Sequence, residues 1–222
     1  MSGPSVVRGV YGIADVSGAP ARTELEVASA FLQGGVSVLQ LRMKGQPREV
    51  VRAVLAELVP LAASFDCALI LNDDPELAAE FDGVGVHLGQ EDMDPVEARA
   101  LLGPDRLIGW STHNADQVER AGELGVDYVG FGPVFTAVGK HLAVGDEREP
   151  MAAVGLDALS AIVARATVPV VAIGGISRAR LASVLETGVA AAALISAVAT
   201  AEDPTQAARE LVSIAGGKEG RR

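Results

Sequence analysis

The sequence predicts an α/β protein: a (β/α)8 TIM barrel in a single domain. Three observations predict it. Short runs rich in Val, Ile and Leu alternate strictly with amphipathic stretches, eight of each, and strict alternation implies a parallel sheet. The 222 residues divided by eight give about 28 per unit, near the size of one βα repeat. The first βα turn, ADVSGAP, lacks GxGxxG, which weakens the open doubly wound sheet as the alternative.

The β-like runs are VVRGVYGIA (6–14), VSVLQLRM (36–43), CALILN (67–72), VGVHLG (84–89), RLIGWST (106–112), DYVGFGPVF (127–135), VPVVAIGG (168–175) and AAALISA (191–197). They carry β-branched residues, with small residues where close packing is needed. The helical stretches are RTELEVASAFLQ (22–33), REVVRAVLAELVPLAASF (48–65), PELAAEF, DPVEARALL, ADQVERAGEL, LDALSAIVARA, RARLASVLE and DPTQAARELVSI. Gly34, Gly83, Gly103, Gly125 and Gly188 mark helix exits, where a left-handed residue is needed. Asp-Pro pairs at 74–75, 94–95 and 203–204 suit helix starts. Residues 1–222 read as one domain, with GGKEGRR (216–222) as a flexible tail. The stretch 136–154 is the longest connection, and loops of that length are usually functional or mobile.

Composition narrows the function. A hydrophobic content of 49% supports one sizeable core. No segment reaches 18 consecutive apolar residues, and the opening MSGPSVVRGVYGIAD lacks a secretion signal, so a cytoplasmic location is expected. The sole cysteine, Cys67, opens an apolar run and reads as an inert core thiol. A net charge of −11 argues against nucleic-acid and anionic-membrane partners. An anionic substrate then needs a local cationic site or a bound cation.

In a (β/α)8 barrel, function sits at the C-terminal ends of the strands. Strand 2 delivers Gln40, Arg42 and Lys44, which share one side because strand parity is two. Strand 3 delivers Asn72 and Asp73, and strand 4 leads into Gln90, Glu91 and Asp92. Strand 5 ends in Ser111, Thr112 and His113, and strand 6 leads to Lys140. Strand 7 ends in Gly174 and Gly175, and strand 8 in Ile195 and Ser196. Asp73 and Asp92 on one rim, beside a cationic row, suit Mg²⁺, which takes one or two carboxylates plus phosphate oxygens and water. Arg42, Lys44 and Lys140 add charge for a diphosphate. The turns after strands 7 and 8 suit a monophosphate. One diphosphate site and one monophosphate site suggest a two-substrate transferase.

Plainer readings compete. Asp73 and Asp74 are candidate caps of the third helix, Asp92 of the fourth, and Ser111, Thr112 or Asn114 of the fifth. Arg42 and Lys44 read equally as solvated loop charges. His87 reads as a hydrogen-bonded rim residue, and Trp110 as packing.

The stretches VLQLRMKG (38–45), LILNDDPELA (69–78), GVHLGQEDM (85–93), IGWSTHNADQ (108–117), DYVGFGPVF (127–135), PVVAIGGIS (169–177) and ALISAV (193–198) together resemble the thiamine-phosphate synthase family, along nearly the whole chain. The resemblance implies the coupling of 4-amino-5-hydroxymethyl-2-methylpyrimidine diphosphate with thiazole phosphate, giving thiamine monophosphate and diphosphate. It implies that Gln40, Leu41, Arg42, Met43, Lys44, Asn72, Ser111 and Lys140 bind the pyrimidine diphosphate, with Arg42, Lys44, Ser111 and Lys140 catalytic. It implies Mg²⁺ on Asp73 and Asp92, and thiazole phosphate on Ala137, Val138, Gly139, Gly175, Ile195 and Ser196. The partners are then two phosphorylated small molecules, with homo-oligomerisation left open. One departure stands out: a Thr-x-Thr-Lys element is usual after strand 6, and here PVFTAVGK holds Ala137 and Gly139 at the threonine positions, with Thr136 beside them. The resemblance extends to the sister thiazole tautomerases, in which a histidine is expected after the strand-6 glycine; here Pro133 follows Gly132, and His141 lies nearby in sequence. A tautomerase and a non-catalytic thiazole-phosphate-binding paralogue are the alternatives.

Overall fold

Successive residues of a strand face opposite sides of a sheet. The computed structural model, which describes residues 6–19, 21–136 and 152–216, uses that alternation to separate two cores. The strands are β1 (Gly9–Ala14), β2 (Val38–Leu41), β3 (Ala68–Asn72), β4 (Gly85–Leu88), β5 (Ile108–Thr112), β6 (Tyr128–Phe131), β7 (Val170–Ala172) and β8 (Ala191–Leu194). All pair in parallel in sequence order, and β1 closes on β8 with Tyr11 opposite Ala193. Each strand is shorter than its apolar run, which extends past the paired residues at one end or both.

Residues of one parity fill the barrel interior: Tyr11, Ile13, Val38, Ile70, Tyr128, Val171, Ala191 and Ala193. The other parity packs outward against the helices through Val10, Leu39, Leu41, Leu69, Leu71, Val86, Leu88, Trp110, Val129 and Leu194. Trp110 is thus a packing residue. Cys67 is buried, and burial pushes its thiol up to about 12, so it is inert.

Among the described residues the helices are α1 (Glu24–Gly34), α2 (Arg48–Ser64), α3 (Pro75–Ala79), α4 (Pro95–Leu102), α5 (Ala115–Arg120, continued by a 3-10 turn, Ala121–Leu124), α6 (Gly155–Arg165), α7 (Arg178–Leu185), α8 (Ser196–Ala199) and α9 (Pro204–Ile214). The expected eight become nine because β8 ends in the single-turn α8 before α9 begins. Asp74, Asp94 and Asp203 accept hydrogen bonds from the backbone N–H of Leu77, Val96 and Gln206, each with proline next in the chain.

One helix-exit expectation shifts by a residue. Gly35, not Gly34, takes the left-handed cap conformation of α1, with φ 90°. Gly34 stays helical for a packing reason: a Cβ there would lie 2.5 Å from Cβ of Ala208 on α9. Gly34→Ala is therefore expected to destabilise the protein by about 1–3 kcal/mol, through overpacking of α1 on α9, as read from denaturant midpoints. Of the expected tail, 216–222, all but Gly216 lies outside the described residues.

Candidate active site

A closed parallel barrel brings all eight strand C-termini to one rim, so the sequence-predicted groups on described residues meet there. The capping readings hold for Asp74 and Asn114 and fail for the other candidates. Asp74 rather than Asp73 caps α3, Asp94 rather than Asp92 caps α4, and Asn114 rather than Ser111 or Thr112 caps α5. Asp73, Asp92 and Ser111 are thereby relieved of capping.

Asp73 follows β3 with φ 67°, a left-handed conformation that few residues other than glycine adopt, though Asn and Asp do so most readily. Its carboxyl is pushed up to about 6, first by burial and then by the charge of the neighbouring Asp92. Lys44 Nζ lies 3.5 Å from Asp73 Oδ2 and opposes that rise. Asp92 Oδ2 accepts from the N–H of Gly89 at 2.6 Å, which holds its carboxyl back toward the end of β4. Two adjacent, partly desolvated carboxylates repel each other, and a divalent cation between them would relieve the repulsion. Paired carboxylates and open space beside them fit Mg²⁺ with substrate oxygens completing its shell. Among the described residues no cluster of three or more His, Cys, Asp or Glu side chains could hold a metal ion by itself, so an ion here would need substrate or water oxygens as well.

The cationic row divides by environment. Gln40 is buried at the inward-facing parity of β2. Arg42 is not a solvated loop charge: its Nη1 pairs with Asp15 Oδ2, and Asp15 is only 5% exposed. Asp15 also accepts from the N–H of Ser17 at 2.8 Å. A buried carboxylate thus fixes one edge of the Arg42 guanidinium and leaves its other donors for the site. Asp15 was missed at the sequence level. Its signal was present, since β1 ends in IAD as β3 ends in LND.

Lys44, Asn72 and Asp73 line an open cavity of about 410 Å³ with Met43, Gln46 and Leu71. Leu41 belongs to the outer core at 0% exposure, so only its backbone can face a substrate. Ser111 is tied on two sides. Its backbone C=O accepts from Gln90 Nε2 at 2.6 Å, and Gln90 is held by Gln117 Nε2 at 2.7 Å. Its hydroxyl lies 2.9 Å from Nε2 of His87, whose Nδ1 lies 3.2 Å from the hydroxyl of Tyr128. His87 is therefore the hydrogen-bonded rim residue expected, half-buried, with one ring nitrogen toward the rim at Ser111 and the other toward the barrel interior at Tyr128. Burial lowers its pKa to about 4, so the ring is neutral near pH 7.

At the ends of β7 and β8, Gly175 has φ 64°, and a Cβ there would lie 2.7 Å from the Phe135 carbonyl. This glycine lets the β6 and β7 loops approach. Ser196 opens α8, whose first N–H groups have no partner within the helix. Arg180, also unanticipated, donates to the Gly175 carbonyl at 2.8 Å and lies 4.5 Å over the Phe135 ring. It ties the β6 and β7 ends together beside the expected monophosphate position. Lys140, Ala137, Val138, Gly139 and His141 lie outside the described residues.

Fold and rim together define a (β/α)8-barrel enzyme with a site suited to phosphorylated small molecules. The chain belongs to the TMP-TENI family, described as thiamine monophosphate synthase, whose model matches residues 10–198. It is 38% identical over 183 residues to a thiamine-phosphate synthase of Desulfitobacterium hafniense, covering 82% of this chain and 85% of that one. It is 41% identical over 207 residues to a thiamine biosynthesis bifunctional protein of Geobacter sulfurreducens, covering 93% of this chain but only 40% of that longer protein. A solved thiamine phosphate pyrophosphorylase from Pyrococcus furiosus superimposes with a TM-score of 0.82 at 33% identity, covering 95% of this chain and 96% of that one.

Proposed function

We infer that the chain is a thiamine-phosphate synthase, joining 4-amino-5-hydroxymethyl-2-methylpyrimidine diphosphate to thiazole phosphate. Family membership supports the reaction, and the paired carboxylates beside Lys44 and Arg42 support the placement of the diphosphate. The methylene–oxygen bond of the pyrimidine substrate breaks, and its electron pair leaves with diphosphate. The pyrimidine amino group supplies electrons to the methylene carbon as the bond breaks. The thiazole nitrogen then forms the new carbon–nitrogen bond.

No protein nucleophile is required. Gln40, Asn72 and Met43 orient the pyrimidine diphosphate, while Arg42, Lys44 and Ser111 meet the charge that grows on the leaving group. Asp73 and Asp92 would hold Mg²⁺, which when bound would add charge neutralisation for the diphosphate. Lys140 is assigned to the same diphosphate by its place in the family pattern. Gly175, Ile195 and Ser196 receive the thiazole phosphate, with residues 137–139 approaching through backbone N–H groups. The two substrates gain most of their reactivity from being held in reach of one another. Pro133 stands where a tautomerase is expected to carry a histidine, so nothing favours that reading. We place the enzyme in the cytoplasm; among the described residues no helix is long and apolar enough to cross a membrane.

The test is direct. Purified protein given both substrates and Mg²⁺ is expected to release thiamine monophosphate and diphosphate in equal amounts, detected chromatographically. Binding of both substrates without product would instead identify a binding paralogue. Arg180→Ala is expected to raise the thiazole phosphate concentration needed for half-maximal rate by roughly tenfold, because the Gly175 carbonyl and the Phe135 ring lose the cation that ties them together. The pyrimidine diphosphate requirement should stay within twofold, as steady-state kinetics varying each substrate would show.

A further inference from the structure

A line of four polar side chains runs from the barrel centre to its rim. Tyr11 Oη lies 2.7 Å from Tyr128 Oη, Tyr128 Oη 3.2 Å from His87 Nδ1, and His87 Nε2 2.9 Å from Ser111 Oγ. Glycines on neighbouring strands make room for it. A Cβ at Gly109 would lie 2.1 Å from Tyr128 Cζ and 2.5 Å from His87 Nδ1, and one at Gly130 would lie 3.2 Å from His87 Cε1. Nothing in the proposed reaction uses Tyr11, Tyr128 or His87.

Counting protons fixes the direction of this line. Burial keeps both phenols protonated, so each has one O–H proton to place. Among the described residues, Tyr128 is the one hydrogen-bond partner of the Tyr11 hydroxyl, and Tyr11 is 2% exposed. If His87 carried its proton on Nδ1, that N–H would donate to Tyr128. The two phenols would then have one acceptor between them, and one buried O–H would be stranded. If the proton sits on Nε2, every buried donor is used. Tyr11 donates to Tyr128, Tyr128 donates to Nδ1, and Nε2–H donates to Ser111 Oγ. A stranded buried donor disfavours the first tautomer by roughly five- to hundredfold.

We propose that the Tyr11–Tyr128–His87 line positions Ser111 as a pure hydrogen-bond donor toward the leaving diphosphate, with Ser111 Oγ accepting from His87 and its own O–H left for an anionic oxygen. The line polarises in one direction, which strengthens that last donor. His87 cannot act as base to Ser111, so the pair is not a Ser–His nucleophile despite its 2.9 Å separation. The inference rests on the placement of Ser111 at the diphosphate.

Two measurements on the full chain test it. Long-range proton–nitrogen spectra of labelled protein at pH 7 should show Nε2 of His87 protonated and Nδ1 bare. With three histidines in the sequence, His87→Gln identifies its signals. An Nδ1–H tautomer, or a doubly protonated ring, overturns the proposal alone. In a double-mutant cycle, Tyr128→Phe should lower kcat about three- to tenfold in the parent and less than twofold in Ser111→Ala, with the pyrimidine diphosphate KM nearly unchanged. Equal losses in both backgrounds would mark Tyr128 as merely structural and overturn the proposal. A Ser111→Ala protein with parental kcat would remove Ser111 from the diphosphate site, and the proposal with it, whatever the tautomer.

Discussion

Asp73→Asn and Asp92→Asn are each expected to lower kcat/KM for the pyrimidine diphosphate by roughly 100-fold or more, since even residues one step behind a metal ligand cost 10–100-fold when changed. Neither carboxylate caps a helix, so the loss cannot be assigned to a frayed α3 or α4. Magnesium titrations of diphosphate binding in parent and mutants check this; an unchanged Mg²⁺ dependence would refute the assignment. A second readout needs no metal. In the ligand-free protein, burial and Asp92 hold the Asp73 carboxyl at about 6, so its charge opposes folding near pH 7. Asn keeps the left-handed backbone at φ 67° and removes the repulsion. Asp73→Asn should therefore stabilise the metal-free fold, by on the order of 1 kcal/mol, while removing activity. A lower Tm would show that Asp73 and Asp92 do not repel each other in the metal-free fold.

Arg42→Ala is expected to damage the fold as well as the reaction. It would leave Asp15, at 5% exposure, as a buried carboxylate without its partner. Breaking such a pair typically costs about 3–5 kcal/mol, a large share of the stability of one domain. Kinetics on the single mutant would then mix lost binding with lost protein. The double mutant Asp15→Asn with Arg42→Ala separates the two, because no charge is left unpaired. Denaturant unfolding should recover most of the stability, while the pyrimidine diphosphate requirement stays raised about tenfold or more, as one charge-assisted contact is worth roughly 1.5–3 kcal/mol. If both recover, Arg42 serves the fold alone. If the single mutant is as stable as the parent, Asp15 is better solvated than its burial implies.

Much of the protein was legible in its residues. The alternation of apolar runs with amphipathic stretches reports burial, and burial periodicity follows local geometry, so all eight strands and their parallel order could be read. Asp-Pro at three helix starts is likewise local chemistry, since the cap bonds an N–H two or three residues away. The rim residues followed from the barrel, because its closure carries strand ends to one side.

Sequence by itself therefore determined the barrel, the positions where its chemistry could lie, and the pairing of one acidic strand end with another. Tertiary structure alone decided what each side chain does there. Two neighbouring acids, Asp73 and Asp74, look alike in the chain, yet one caps α3 and the other faces Asp92 and Lys44. Arg42 reads as a loop charge until Asp15, 27 residues earlier, is found beside it. His87 and Ser111 meet only because β4 and β5 pair in a particular register, and Tyr11 joins them from across the barrel. Periodicity records which way a side chain points, whereas hydrogen bonds and ion pairs depend on separations of about 3 Å between residues far apart in the chain, and only closure of the barrel sets those.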